Sequence, residues 1–403
     1  MSELLASRPA HVPAHLERNF DLYNIPGADT DVQAAHLEIQ RTFPPVFWTP
    51  HHGGHWVVTG GEDILEIWRD VKHFSSRHTT IPPLPKEVPP QIPIELDPPV
   101  HAHFRRPLAQ ALVPSMVARL EDHVRRVAVE AIEHLVPLGG CEFVEDFSKV
   151  LPITVFLNLV AIPLDDKDYL LALAAAAVRG ETVESRTQAQ QQMRDYLTRW
   201  VRERREKPGD DLLSNLVNIE IGGAKISELE AVSYATLLLF AGLDTVASMM
   251  GFVILFLAEH PAERRLLRDR TADKSFLSNA IEEMMRRHAI VNLARVATSD
   301  MTFRGVEFRN GDHVLPGSVF VNIDEHLNAD PLKVDFDRKD AVNRVFGSGT
   351  HACPGATLAR REMQIFLEEW LVRIPEFRVK PGTKPLLETG VVNTVAKLEL
   401  SWP

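Results

Sequence analysis

The stretch "FGSGTHACPGATLARREMQ" runs from Phe346 to Gln364 and sets one of only two cysteines between a glycine-rich turn and a helical pattern. Ala359, Met363, Phe366, Leu367, Trp370, Leu371 and Ile374 recur behind it at helical spacing. Pro354 suits a first helical turn, where a missing N–H costs nothing. Cys353 is therefore expected at or just before a helix N-terminus, whose free N–H groups favour thiolate over thiol. Gly347, Gly349 and Gly355 let the backbone bend tightly and approach a flat object. A lone cysteine is more often a small core residue than a ligand. His351 and Cys353 alone do not supply a tetrahedral zinc set, and no Lys-Ser or Lys-Thr pair follows the glycines as a phosphate loop requires. A thiolate facing a cofactor that takes one axial protein ligand fits, and that describes haem.

The rest of the chain sets the context. Its 403 residues are 45% apolar and 25% charged, the composition of an ordinary globular protein. A net charge of −11 argues against a nucleic-acid surface. No secretion signal opens the chain, and Cys141 and Cys353 make no disulfide framework, so a reducing cytoplasm is expected. The apolar segment from Ala231 to His260 is long enough to span a bilayer. Asp244 at its centre would be expensive in lipid, while Ser227 and Glu230 form a capping box and Pro261 closes it. It reads instead as a central helix of about 30 residues, roughly 45 Å long, buried on all sides of a large domain.

Residues 55–59 read as a strand before a Gly60-Gly61 turn and a helix. Helical patterns occupy about 101–137, 151–205 and 275–288, and strand signals return at "MTFRGVEF", "DHVLPGSVFV" and "AKLELSW". Prolines between 82 and 99 mark a loop inside one domain. His51, His52 and His55 lie on a Gly-rich turn without the spacing of a zinc protease, and no metal is expected there. The expected architecture is mainly α with small β-sheets.

The Phe346–Gly355 segment resembles the haem-binding signature of the cytochrome P-450 superfamily at Phe346, Gly347, Gly349, His351, Cys353 and Gly355. The resemblance implies haem b (iron protoporphyrin IX) with Cys353 as axial thiolate, the ligand that favours O–O cleavage. His351 takes the place of a propionate-binding residue, and by match His101, Arg105 and Arg295 reach the propionates too. "AGLDT" (Ala241 to Thr245) looks like the family's oxygen-activation motif. A glycine inside a helix costs about 1 kcal/mol relative to Ala, so Gly242 suggests that something needs the space, and Asp244 and Thr245 would deliver protons. Glu283 and Arg286 of "EEMMRR", with Arg338 of "FDR", resemble the family's structural Glu-x-x-Arg trio that holds the cysteine loop.

The likeness covers about residue 20 to the C-terminus and is greatest to the bacterial camphor hydroxylase group. It implies residues 1–20 as an N-terminal extension and 21–403 as one haem-thiolate monooxygenase domain. Two departures touch the substrate. Pro89 stands where that group carries a tyrosine, and Thr80 where it carries a phenylalanine. The lining placed by resemblance is Thr80, Leu237, Phe240, Leu243, Val291, Val391 and Val392. A monooxygenase acting on a small apolar cyclic substrate, terpenoid or norisoprenoid in kind, with O2 is expected. A haem-thiolate peroxygenase or isomerase, or a non-catalytic haem sensor, are the rival functions. With no flavin, nicotinamide or iron–sulfur fingerprint in the chain, electrons are expected from a separate two-iron ferredoxin fed by a flavin reductase. Arg105, Arg106, Arg360 and Arg361 could form its basic patch. A monomer without nucleic-acid or membrane partners completes the expectation.

Overall fold

The computed structural model describes residues 5–85, 87–179 and 183–403, with the side chains at positions 178, 179, 183, 184, 186 and 243 outside the description. Helix makes up about 52% of the described residues, and the sheets are small. The central helix runs Glu228–Glu259. Ser227 Oγ accepts from the Glu230 N–H while Glu230 reaches back to the Ser227 N–H, so the capping box read in the sequence closes the first turn. His260 ends the helix and Pro261 opens the next, Pro261–Asp269.

Of the described residues, only this helix is long and apolar enough to cross a bilayer, and 65% of its most apolar window is buried within the protein. The helices Pro114–Leu135, Val150–Leu159, Val183–Glu206 and Ala356–Arg373 flank it or pack on one another around it. It is not buried on all sides, however. Ala241, near its middle, is exposed, and Gly242, Asp244, Thr245 and Val246 are half-buried.

That opening falls at a seam between two cores. One core takes Met249 to Ala258 of the helix together with Met363, Phe366 and Trp370. The other takes Ala231 to Leu239 together with Phe104, Phe156 and Met193. The "AGLDT" motif lies in between, where neither core closes over it.

The largest sheet has five strands in the order Val46–Thr49, His55–Val58, His313–Pro316, Arg295–Ala297 and Phe74–Ser75. Its second and third strands run parallel, with Val314 opposite Trp56, and the other pairs are antiparallel. Three further strands, Arg378–Val379, Glu399–Ser401 and Gly140–Glu142, join the C-terminus to the helical body. Val12, Leu16 and Phe20 are buried in the larger core, so the expected N-terminal extension lies against the domain from Val12 onward.

One element departs from the expected pattern. "DHVLPGSVFV" reads as strand throughout, but only His313–Pro316 is strand, and Ser318–Ile323 is a helix. β-Branched residues prefer strands only weakly against tertiary context. Here all six helical residues are buried, and the Ser318 N–H and hydroxyl both donate to the Val291 carbonyl, at 3.0 and 2.6 Å. The contacts override the propensity.

Candidate active site

The Cys353 loop is shaped by its glycines and its own backbone bonds. The Cys353 N–H donates to the Phe346 carbonyl at 2.9 Å, and Gly347 and Gly349 adopt φ of +69° and +71°. A Cβ on Gly349 would also come within 3.0 Å of the Trp68 carbonyl, so glycine is required there twice over. The helix behind the loop begins at Ala356 with Gly355 as its cap, two residues later than Pro354 suggests.

Cys353 is exposed as a residue, but protein packs closely around its thiol. Burial raises its thiol pKa, and the Gly355 N–H, Arg105, Arg360 and the Ala356 N–H pull the other way. The expected helix-terminus preference for thiolate is therefore present but outweighed in the free thiol. A metal cation reverses that balance, because a coordinating thiol is deprotonated outright.

Four basic residues converge beside the loop. His101 is buried in the helix Val100–Ala111, and its ring lies 4.3 Å from that of His351. Arg105, one turn on, donates to the Ala352 carbonyl. Arg295 is 7% exposed, and the hydrogen bond given for its side chain runs to the Ala294 carbonyl at 2.7 Å. Burial lowers all four pKa values, to about 10 for Arg295 and about 3 for His351, where Arg295, His101 and Arg105 add their repulsion. His351 Nε2 is sealed from solvent without a hydrogen-bond partner. Asp97 is the nearby carboxylate, and it already accepts from the Ser76 N–H at 2.9 Å and from the Ser75 hydroxyl. Crowded cations with an orphaned imidazole call for an anion. An exposed cysteine, this basic cluster and the open middle of the central helix together fit a flat dianionic macrocycle whose metal would be held by one sulfur.

On the central helix Thr245 donates its hydroxyl to the Ala241 carbonyl at 2.8 Å. The carbonyl it uses belongs to the exposed Ala241. A Cβ on Gly242 would come within 3.3 Å of Phe156 Cδ2, so packing against the helix Val150–Leu159 takes up part of the space it leaves.

Glu283, Arg286 and Arg338 are brought together. Arg286 donates to Glu283 from Nε at 2.8 Å and from Nη2 at 2.9 Å, and Arg338 Nε donates to Glu283 Oε1 at 2.9 Å. The remaining guanidinium N–H groups take the carbonyls of Asn322, Ala329, Asp330, Pro331 and Lys333. Three asparagines extend this clamp to the cysteine loop, and sequence reading missed them. Asn322 accepts from the Arg344 N–H, Asn328 from the Val342 N–H and Asn343 from the Val345 N–H.

The expected lining residues fall in two groups. Val291 and Val392 form a β-bridge, and the Asn292 N–H donates to the Val391 carbonyl. Phe240 shares a small cleft with Pro89, Val88, Leu84 and Val232, alongside Gln91, Gln190 and Arg194. Leu237 is buried, Thr80 donates its hydroxyl to the Pro82 carbonyl at 3.0 Å, and the Leu243 side chain lies outside the described residues. The proposed basic patch is weaker than the sequence suggests. Arg106 is exposed, but Arg360 is paired with Glu282 and Arg361 with Glu121. His51 and His52 turn towards Asn19 and Asp21, and His55 is buried in its strand.

A cytochrome P450 family model matches residues 166–400. A probable cytochrome P450 127A1 of Sinorhizobium fredii is 34% identical over 98% of this chain and 96% of its own length. The chain belongs to the cytochrome P450 family. The mycinamicin IV hydroxylase/epoxidase of Micromonospora griseorubida is 30% identical over 85% of the chain and 88% of that relative. The crystal structure of CYP101J2 superposes with a TM-score of 0.90 at 36% identity, covering 99% of this chain and all of the other. That of CYP101C1 gives 0.89 at 38% identity, covering 98% and all. The protein is accordingly a haem-containing P450 monooxygenase, and its expected fold is the observed one.

Proposed function

We propose that this P450 hydroxylates a small apolar cyclic substrate, terpenoid or norisoprenoid in kind. Its electrons come from a separate two-iron ferredoxin fed by a flavin reductase, and it works as a cytoplasmic monomer. The observation that carries the substrate reading is the placement of the four tyrosines. Tyr23 donates to the Ile81 carbonyl, Tyr196 to Asp166 and Tyr234 to the Phe104 carbonyl, and Tyr169 is exposed. Pro89 lines the cleft that Phe240 enters, and no tyrosine lines it. Substrate is then held by burial against Phe240, Val291, Val391 and Val392, at about 25 cal/mol per Å² of apolar area.

In this reading Cys353 would hold the haem iron through its thiolate, and His101, Arg105, Arg295 and His351 would meet the propionates. The haem, when bound, supplies O2 binding and reductive O–O cleavage. Asp244 would relay protons from outside, and the Thr245 hydroxyl, its own proton held by the Ala241 carbonyl, would accept from and orient the water that carries them into the opening. Glu283, Arg286 and Arg338 hold the segment leading to the cysteine loop.

The test is a panel of spectral titrations of the ferric haem. A neutral hydrogen bond contributes about 1 kcal/mol, so losing a phenol relaxes orientation more than it abolishes binding. Ionone-like ring ketones should shift the spectrum at lower concentration than camphor does. Camphor binding at least as tightly, with a single hydroxylation product, contradicts the substrate reading. Product formed without consuming ferredoxin-delivered electrons favours a peroxygenase or isomerase instead.

A further inference from the structure

The small cleft that Phe240 enters carries polar groups that an apolar substrate leaves idle. On the central helix Leu229, Val232, Thr236 and Phe240 stand three and four residues apart, so they form one stripe on a single face. Leu229 is exposed and Thr236 buried, so the stripe runs inward from the surface, and Phe240 immediately precedes the open Ala241. Facing it are the loop that carries Pro89 and Gln91 and the helix Val183–Glu206, which presents Gln190 and Arg194 one turn apart. The cleft has a volume of about 30 Å³, one water molecule's share of the liquid, so it takes a polar headgroup and not a ring.

The hydroxyls of the helix face are spent, since Thr236 donates to the Val232 carbonyl at 2.8 Å and Ser233 donates to the Pro90 carbonyl. The donors on the other two walls are not. Gln91 is held through its N–H, which donates to Glu95 at 2.9 Å, and the side-chain amides of Gln91 and Gln190 have no hydrogen bond among the described residues. Arg194 donates to Gln191 Oε1 at 2.8 Å, and no carboxylate pairs with it among the described residues. Asp195, next in sequence, is exposed and accepts from Gln191 Nε2 at 2.8 Å. Arg194 is half-buried, and burial lowers its pKa against the pull of Asp195. No acid is among the residues lining the cleft. A partly desolvated guanidinium with two amides beside it, on walls otherwise apolar, complements a carboxylate, which accepts two N–H bonds side by side.

We propose that Arg194 is a specificity-determining residue that binds a carboxylate on the substrate, with Gln91 and Gln190 as accompanying donors. The substrate is then an apolar ring joined by a side chain to a carboxylic acid, with the acid in the cleft and the ring beyond Phe240. The helix sets its length. Thr236, beside the headgroup, and Thr245, at the opening, lie nine positions apart on this helix, or roughly 13 Å along its axis at 1.5 Å per residue. That span suits a ring with a side chain rather than a ring alone. The ring rests on the substrate reading above, whereas the carboxylate rests on the cleft itself.

Spectral titration of the ferric holoenzyme tests this with two acids, each paired with its methyl ester. β-Ionylideneacetic acid has the norisoprenoid ring, and decanoic acid has none. The readout is the ratio of the ester's dissociation constant to the acid's, measured in wild type, Arg194→Gln and Arg194→Lys. A ratio taken within one protein cancels a general loss of folding. Wild type should bind each acid roughly tenfold or more tighter than its ester, the scale of one charge-assisted hydrogen bond. Arg194→Gln should bring the ratio near one, Arg194→Lys should keep part of it, and the reduced carbon monoxide spectrum should be thiolate-type in all three. An acid preference for decanoic acid alone upholds the carboxylate site and refutes the ring reading, while a preference in both pairs upholds both. A wild-type ratio near one in both pairs, a ratio that Arg194→Gln leaves unchanged, or no spectral shift with either acid overturns the proposal.

Discussion

Replacing Glu283 by Gln should destabilise the protein by about 3–5 kcal/mol, the cost of breaking a buried ion pair by removing one partner. The figure depends on burial, and here it is nearly complete, with Glu283 at 4% and Arg286 at 0% exposure. Glu283 accepts from Arg286 Nε and Nη2, from Arg338 Nε, and from the Asp335 N–H at 3.1 Å. Glutamine keeps part of the geometry but leaves two guanidinium charges without a counter-charge. Were the trio exposed, the same change would cost about 0–1 kcal/mol. At about 1.4 kcal/mol per tenfold, the loss is roughly two to three and a half powers of ten in the folding constant. Urea unfolding followed by far-UV circular dichroism reads it, provided the slope against urea is unchanged. The reduced carbon monoxide spectrum reports whether the cysteine loop survives, because the trio and Asn322, Asn328 and Asn343 hold the segment that leads into it. A loss below about 1 kcal/mol with an unchanged slope refutes the reasoning, since the trio would then behave as a surface pair.

Thr245→Ala should keep consuming electrons and O2 but divert much of both to hydrogen peroxide, because the hydroxyl held by the Ala241 carbonyl is gone while the cysteine loop is untouched. Product per electron equal to wild type removes Thr245 from proton delivery. Burial lowers His36 to about 4 and His55 to about 3 from an ordinary 6.5. The unfolded chain then takes up protons that the folded one refuses, so stability falls as pH drops from about 6.5 towards 4. Each such group adds up to about 1.4 kcal/mol per pH unit. Equilibrium unfolding of wild type and His55→Phe across that window should show a shallower fall in the variant, and identical slopes argue against a neutral, buried His55. Gly242→Ala should lower stability by crowding Phe156, with the helix propensity gain of about 1 kcal/mol offsetting part of it. A clear gain in stability on urea unfolding would show that Phe156 yields freely.

Where chemistry is carried by a contiguous motif, the sequence was legible. The capping box at Ser227 and the Glu283–Arg286 pair rest on short-range geometry and form where it puts them, and the helix behind Cys353 begins two residues later than Pro354 suggests. Properties decided by distant neighbours were not. Ser318–Ile323 reads as strand from its β-branched residues, yet the Val291 carbonyl takes both donors of Ser318 and the segment coils. Gly242 reads as a residue kept small for space, and the side chain that a Cβ there would crowd, Phe156, is 86 residues away in the chain. Arg360 and Arg361 read as a free patch, but Glu282 and Glu121 come from other helices to meet them. The asparagine clamp carried no signal, because an isolated Asn in a loop looks like turn chemistry. The seam between two cores, which leaves Ala241 open, follows only from the packing of the whole chain.

The central claim, a haem held by the Cys353 thiolate, is tested most directly by the reduced carbon monoxide difference spectrum of the haem-loaded protein and of Cys353→Ser. The sulfur of Cys141, the other cysteine, belongs to a half-buried strand, and burial pushes its thiol pKa well up. Wild type should give the thiolate-type Soret band, and the serine variant loaded with the same haem should not. A thiolate-type band that persists in Cys353→Ser would contradict the account.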